Sequence, residues 1–404
     1  MKEKKLQLKT IMGKFLAMLL VVVTIFSVGM PLSAKAATTT VTNGTDLKVH
    51  YFNVGLGTCV ILEQNGHYML IDTGEESYTL NTGTEYALSG IKKWMNTKKV
   101  TKFDYVIISH YDADHVRNLK SILKLDTKNP IKVGKFLARK YSKAAMKKML
   151  QRSEKTTYAY LNDYINFVNV VLLSPGTIKN PTTQITSKGS TITDKFDAVY
   201  DKIENISKKT NEDGELLWKN PTGDYSCVFG NGVKIKFYTL NNGDTYATNA
   251  NIIYKEAVND DSLVFKITYN AASFWFFNDL KKDGMIDILN RTRKADYDTS
   301  VVLLPHHGIM HDQITKAIKA QFTQKLKGAA IFVRSVDKAH RDLNDDQKAF
   351  MNLFKERNSD LYGKTLLQTC QNKGESGTKS SITITTKGKV VNSKLYNVKI
   401  NWRN

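Results

Sequence analysis

Short apolar runs separated by polar turn residues pattern most of this chain. Runs of about four to eight apolar or alternating residues predict strands, while apolar positions three and four apart predict helices. Strands are expected at Leu47 to Asn53, Thr58 to Leu62 and His67 to Ile71, the last closed by the turn Asp72-Thr73-Gly74. Tyr105 to Ile108 and Phe167 to Leu173 predict two more. Later strands are expected at Val233 to Leu240, Ser262 to Tyr269, Ser273 to Phe277, Ser300 to Leu304, Ala329 to Val333, Ser381 to Thr386 and Leu395 to Trp402. Helical spacing occurs at Ala87 to Met95, Ser142 to Arg152, Ile314 to Leu326 and Gln347 to Phe354. Residues 175–223 are polar and irregular, with an amphipathic piece from Phe196 to Ile206, and read as an insertion. Strands lead in both halves with helices between them. That order predicts two sheets packed face to face with helices outside.

The N-terminus departs from this pattern. Met1 to Lys14 carries five lysines and one glutamate, Phe15 to Met30 is nearly all apolar, and Ser33-Ala34-Lys35-Ala36-Ala37 follows. Charged, apolar and small-residue segments in that order predict a secretory signal peptide cut after Ala36. The expected mature domain is 37–404, secreted and without a membrane span after cleavage. Formal charge is +21, and the first 36 residues hold six Lys and one Glu, so the remainder carries +16. A chain this basic is drawn to polyanions. The three cysteines, Cys59, Cys227 and Cys370, are widely spaced and lack C-x-x-C spacing, which argues against a disulfide framework and a cysteine-based zinc site.

Candidate chemistry concentrates at strand ends. The strand Tyr105 to Ile108 runs into Ser109-His110-Tyr111-Asp112-Ala113-Asp114-His115, four metal-capable side chains within six positions. One loop rarely closes a catalytic metal site, and two other strand ends supply distant donors. Asp279 follows Ser273 to Phe277 through Asn278, and His306 and His307 follow Ser300 to Leu304. A carboxylate at Asp279 can bridge two metals.

In this order, Phe52-Asn53-Val54-Gly55-Leu56-Gly57, Ile71-Asp72-Thr73-Gly74, His110 to His115, Asp261-Ser262-Leu263-Val264, Asn278-Asp279 and Leu304-Pro305-His306-His307-Gly308 resemble the motifs of the metallo-β-lactamase-fold hydrolases. Among these the chain looks most like the β-lactamase-like domain of the ComEC-type DNA-uptake competence proteins. The resemblance implies an α/β fold, the αββα four-layer sandwich with two mixed sheets. It also implies a metal-dependent hydrolase with one or two divalent ions, zinc by family and manganese or magnesium as competitors. Carried over by position, His110 and Asp112 serve one metal, and Asp114 and His115 the other. Asp279 bridges, one of His306 and His307 completes the second site, and Asp72 orients from behind. Asp114, His115 and His307 form the implied catalytic set. Three departures stand out: Asp112 replaces the commoner second histidine, no histidine lies between His115 and His306, and glycines usual near the ligands are replaced by Arg117-Asn118 and Asn278. His340, in a late loop, is a weaker substrate-contact candidate.

These observations favour a secreted phosphodiesterase or nuclease acting on an extracellular polyanion such as DNA. Two alternatives remain. The chain is also similar to the catalytic modules of phosphorylcholine esterases that act on teichoic acid, although no aromatic choline-binding repeats follow Asn404. The third reading is a non-catalytic polyanion-binding protein that keeps the fold. β-Lactam hydrolysis fits worse, because the histidine-rich first site it needs is depleted.

Overall fold

The computed structural model describes residues 45–74, 85–151, 155–186, 189–223, 225–239, 258–308, 316–336, 351–369 and 381–388, with short strands beyond them up to 403. The signal segment, His311, His340 and Cys370 lie outside the described residues.

The strands, in chain order, begin with β1 (Leu47–Tyr51), β2 (Val60–Gln64), β3 (His67–Ile71), β4 (Lys102–Ile108), β5 (Lys132–Ala138) and β6 (Trp218–Lys219). They continue with β7 (Ser226–Phe229), β8 (Val233–Phe237), β9 (Phe265–Tyr269), β10 (Ala272–Phe276), β11 (Val301–Leu303), β12 (Ile331–Arg334) and β13 (Thr365–Gln368). Last come β14 (Ser381–Thr386), β15 (Val390–Val391), β16 (Lys394–Leu395) and β17 (Lys399–Arg403). One sheet has the order β17-β14-β1-β2-β3-β4-β5-β6 and the other β13-β12-β11-β10-β9-β8-β7. Both are mixed. In the first, β3, β4, β5 and β6 are parallel neighbours. In the second, β10, β11, β12 and β13 are.

Alternation of side chains along each strand produces three apolar interfaces and hence four layers. On β4, Val106 and Ile108 face the helices outside the first sheet while Ile107 faces the second sheet. On β10, Phe274 and Phe276 face the first sheet, and Trp275 packs with the helices outside the second. The outer layers are built by helices that include Glu85–Thr97, Lys143–Gln151 and Lys155–Leu173 on one side, and Lys282–Arg291 and Lys316–Leu326 on the other. This is the αββα sandwich that the sequence predicts. Among the described residues no helix is long and apolar enough to cross a membrane.

Several elements differ from expectation. Phe167 to Leu173 is not a strand but the last part of the 19-residue helix Lys155–Leu173. Its apolar run is continuous with Leu161, Tyr164 and Ile165, which are buried on the same helix. A short apolar run cannot by itself distinguish a strand from a buried helix end. The insertion is more ordered than its composition suggests: it carries the helix Phe196–Ile206 and supplies β6, which extends the first sheet beside β5.

Parallel strands leave their C-terminal ends on one edge of a sheet, where loops can converge. Ile71 on β3 aligns with Ile107 on β4, and Phe276 on β10 aligns with Leu303 on β11. Within each sheet the two strands therefore end level with each other, β3 and β4 just before Asp72 and His110, and β10 and β11 just before Asp279 and His306. Between the sheets, the fully buried Phe276 lies 4.9 Å from the Phe265 ring and 6.5 Å from Tyr51 across the interface. We predict that Phe276→Ala costs about 3–5 kcal/mol, measured by urea unfolding; a loss under about 1 kcal/mol would contradict this packing.

Candidate metal centre

The loop after β4 turns into a one-turn helix, Ala113–Val116, which carries Asp114 and His115. Its backbone is tied to neighbouring loops. The Thr73 amide and hydroxyl both donate to the His115 carbonyl, at 2.7 and 3.0 Å. The Thr58 amide donates to the Asp114 carbonyl. Gly57 allows that approach, since a Cβ there would lie 2.1 Å from the Asp114 carbonyl oxygen. Arg117 and Asn118 have right-handed backbone angles and need no glycine. Arg117 pairs with Asp163 of the long helix at 3.1 Å, and the Asn118 side chain donates to the Thr73 carbonyl.

The second sheet contributes two loops. Asp279 follows Asn278, whose φ of 49° is left-handed. Asparagine is one of the few side-chain-bearing residues that tolerate this region. His306 and His307 are also left-handed, with φ of 45° and 58°. The His306 amide donates to the Asn278 carbonyl, and the Asn278 side chain donates to the Leu263 carbonyl. The Leu263 amide in turn donates to the Ser109 carbonyl at 2.9 Å, joining the tips of the two sheets.

These loops bring Asp114, His115, Asp279 and His307 together, with one donor atom of each within 4.8 Å of all the others. His115 Nε2 lies 3.3 Å from Asp279 Oδ1 and 3.6 Å from Asp114 Oδ2. His307 Nε2 lies 3.2 Å from Asp279 Oδ2 and 3.3 Å from Asp114 Oδ2. His110 and Asp112 stand beside this group, not in it: their closest atoms are 3.6 Å apart, and the His110 ring centre is 4.2 Å from that of His115. His306 is farther out, 3.9 Å from Asp279 and partly exposed. Asp72 lies behind, accepting the Nδ1–H of His115 at 2.8 Å. His340 lies outside the described residues. Sequence reasoning did not include Ser109, Thr73 or Gly57 as supports of the site; the small residue just before the His/Asp motif was the available signal for Ser109.

The buried Nε2 atoms of His110, His115 and His307 have no hydrogen-bond partner. Carboxylate oxygens lie 3.2–3.6 Å from them. Buried polar atoms are normally satisfied, so three orphaned imidazole nitrogens facing carboxylates fit a bound cation. A tetrahedral site with arms of about 2.0–2.2 Å has edges of roughly 3.3–3.6 Å, and the four imidazole–carboxylate distances of 3.2–3.6 Å are of that size. The electrostatics agree. Burial opposes charge on His115 and His307, yet Asp279 and Asp114 raise both, His307 to about 9. Burial likewise opposes ionisation of Asp114 and Asp279, yet His115 and His307 hold both carboxyls below the usual range. His306, more weakly coupled to these acids, is pushed down by burial to about 4.

The sequence matches no protein-family model and no curated protein. The structure is similar to the metallo-β-lactamase fold protein YhfI from Bacillus subtilis, at 10% identity and a TM-score of 0.39, over 80% of this chain and 96% of that one. It is similar to Igni18, a metallo hydrolase from Ignicoccus hospitalis, at 13% identity and a TM-score of 0.38, over 84% and 98%. A third similar structure is human tRNase Z, short form, at 12% identity and a TM-score of 0.31, over 72% and 93%.

The helix that follows Asp279, Lys282–Arg291, is capped from outside. Asp260 Oδ1 accepts the amides of Lys281 and Gly284 at 2.8 and 2.9 Å. Burial raises the Asp260 carboxyl to about 7. A folded-state value above the unfolded one, about 3.9, means that stability falls as pH rises from about 4 to about 7. Asp260→Asn keeps the accepting oxygen and removes the titration. Its melting temperature should match wild type near pH 4 and exceed it above pH 7; a variant less stable at pH 8 would refute this.

Proposed function

We propose that the chain is a metal-dependent hydrolase of phosphodiesters, exported by the segment 1–36, with an extracellular polyanion such as DNA as substrate. The observation that carries this reading is the convergence of Asp114, His115, Asp279 and His307 from three strand tips, with the imidazole Nε2 atoms turned toward the two carboxylates.

These four residues would hold a divalent cation, and His110 with Asp112 would supply donors to a second one beside it. When bound, such a cation supplies Lewis acidity toward a phosphoryl oxygen and a nucleophilic water at neutral pH. Asp72 keeps the His115 ring oriented, with Nε2 toward the cluster. His306 is the more accessible of the two neighbouring imidazoles and is placed to contact substrate. Two carboxylates with two imidazoles suit zinc and also admit manganese.

The net positive charge favours a polyanionic substrate. Part of the basic surface at the helix Lys143–Gln151 is already paired. Lys143 pairs with Asp197 at 2.8 Å, and Lys140, just before the helix, pairs with Glu204 at 3.0 Å. Both acids sit on the insertion helix Phe196–Ile206.

Three substrates separate the readings: linear DNA or RNA, bis-p-nitrophenyl phosphate, and a small choline phosphodiester, each with zinc, manganese or magnesium. Cleavage of polymer is expected. Cleavage of the choline ester alone would favour the teichoic-acid esterase, and binding without turnover would favour a non-catalytic polyanion binder. Asp114→Ala should lower turnover by roughly 10³-fold or more, against typical enzymatic accelerations of 10⁶ and above, with an unchanged circular dichroism spectrum. Full activity in that variant would rule out this site. Export predicts that protein recovered from culture medium begins at Ala37, as read by mass spectrometry; an intact Met1 there would exclude cleavage.

A further inference from the structure

Behind the cluster lies a layer of hydrogen bonds centred on two fully buried residues, Asp72 and Ser109. Asp72 Oδ1 accepts the Ser109 backbone amide at 2.7 Å. Asp72 Oδ2 lies 2.6 Å from the Ser109 hydroxyl and 2.8 Å from His115 Nδ1. The same hydroxyl oxygen lies 3.1 Å from Nδ1 of His110 and 3.4 Å from Nδ1 of His115.

Counting protons decides the direction of these bonds. A serine hydroxyl has one proton to give and two lone pairs. An oxygen–oxygen contact of 2.6 Å between a hydroxyl and a carboxylate is a short charge-assisted bond with the hydroxyl as donor. The Ser109 proton is therefore committed to Asp72, and Oγ presents only lone pairs to His110. His110 Nδ1 must then be the donor. A neutral imidazole with its proton on Nδ1 has a bare lone pair on Nε2. His110 Nε2 is the buried atom without a partner, on the side where Asp112 stands 3.6 Å away.

We infer that Ser109 is a positioning residue that passes the orientation set by Asp72 on to His110. One buried carboxylate thus fixes two imidazoles, His115 directly and His110 through a hydroxyl, both with Nε2 aimed for ligation. The purpose of the arrangement rests on the metal reading above, but the proton positions do not.

The test uses the mature protein labelled with ¹⁵N-histidine and stripped of metal. Long-range proton–nitrogen correlation at alkaline pH reports the tautomer of each ring, and the His110 signals are identified by their loss in His110→Ala. Wild type should show His110 with its proton on Nδ1. Ser109→Ala should shift it toward the Nε2–H form, and Ser109→Thr, which keeps the hydroxyl, should restore it. In a parallel zinc titration against a chromophoric chelator, Ser109→Ala should bind about 10–100-fold more weakly and Ser109→Thr close to wild type, with melting temperatures recorded for all three. A wild-type His110 protonated on Nε2 would overturn the relay whatever the variants do. So would a Ser109→Ala protein with an unchanged tautomer and unchanged zinc affinity. A wild-type protein that takes up no divalent cation would instead remove the metal reading, while the His110 spectrum would still decide the relay.

Discussion

Two carboxylates and two imidazoles, three of them buried and Asp114 half-buried, converge on one point, and such a group is stable only with positive charge among the acids. In the metal-free molecule the acids draw the titration of His115 and His307 upward and the histidines draw that of Asp114 and Asp279 downward, both against the penalty of burial. A divalent cation would satisfy the same four groups and release protons on binding. The rest of the structure can be understood as the means of keeping this conflict in place.

The means are local and costly. Asp72, Asn278, His306 and His307 all hold left-handed backbone conformations, and all stand on the strand-tip loops of the site. Each such residue costs on the order of 1–3 kcal/mol, and this strain persists only where surrounding contacts over-determine it. Those contacts form a continuous series: the His306 amide on the Asn278 carbonyl, the Asn278 side chain on Leu263, and the Leu263 amide on the Ser109 carbonyl. The series crosses from one sheet to the other, so the sandwich interface and the Asp/His cluster are braced by the same groups. The apolar layer beneath, with Phe265, Phe276 and Tyr51 in contact, gives these loops a rigid base.

Much of this was legible in the sequence, because strand periodicity and ligand-type residues coincide. His67–Ile71 and Ser381–Thr386 are strands with the expected boundaries, and the ends of β4, β10 and β11 carry the residues that converge. Other parts were not legible, for physical reasons. β5 mixes two lysines and a glycine into its apolar pattern, and β7 has only four residues, so neither stands out. The helix Lys282–Arg291 contains Gly284 and takes its cap from Asp260, more than twenty residues earlier, so no adjacent start signal announces it. Within the site, residue types could nominate His306 and His307 equally. Only the successive left-handed turns decide that His307 reaches both acids while His306 stays outside. The hydroxyl of Ser109 was invisible for a similar reason: serine has no ligand chemistry of its own, and its part comes wholly from the three groups around it.

Position 57 links two motifs that lie far apart in the chain. Its α-carbon is so near the Asp114 carbonyl that even a methyl group would overlap it, and its own carbonyl accepts the hydroxyl of Ser335 from the opposite sheet. Drift at this glycine is thus coupled to the acid it touches. A descendant lineage could acquire a side chain there only after the His/Asp loop had been re-routed. The glycine and the acidic loop should accordingly be inherited, or lost, as one unit.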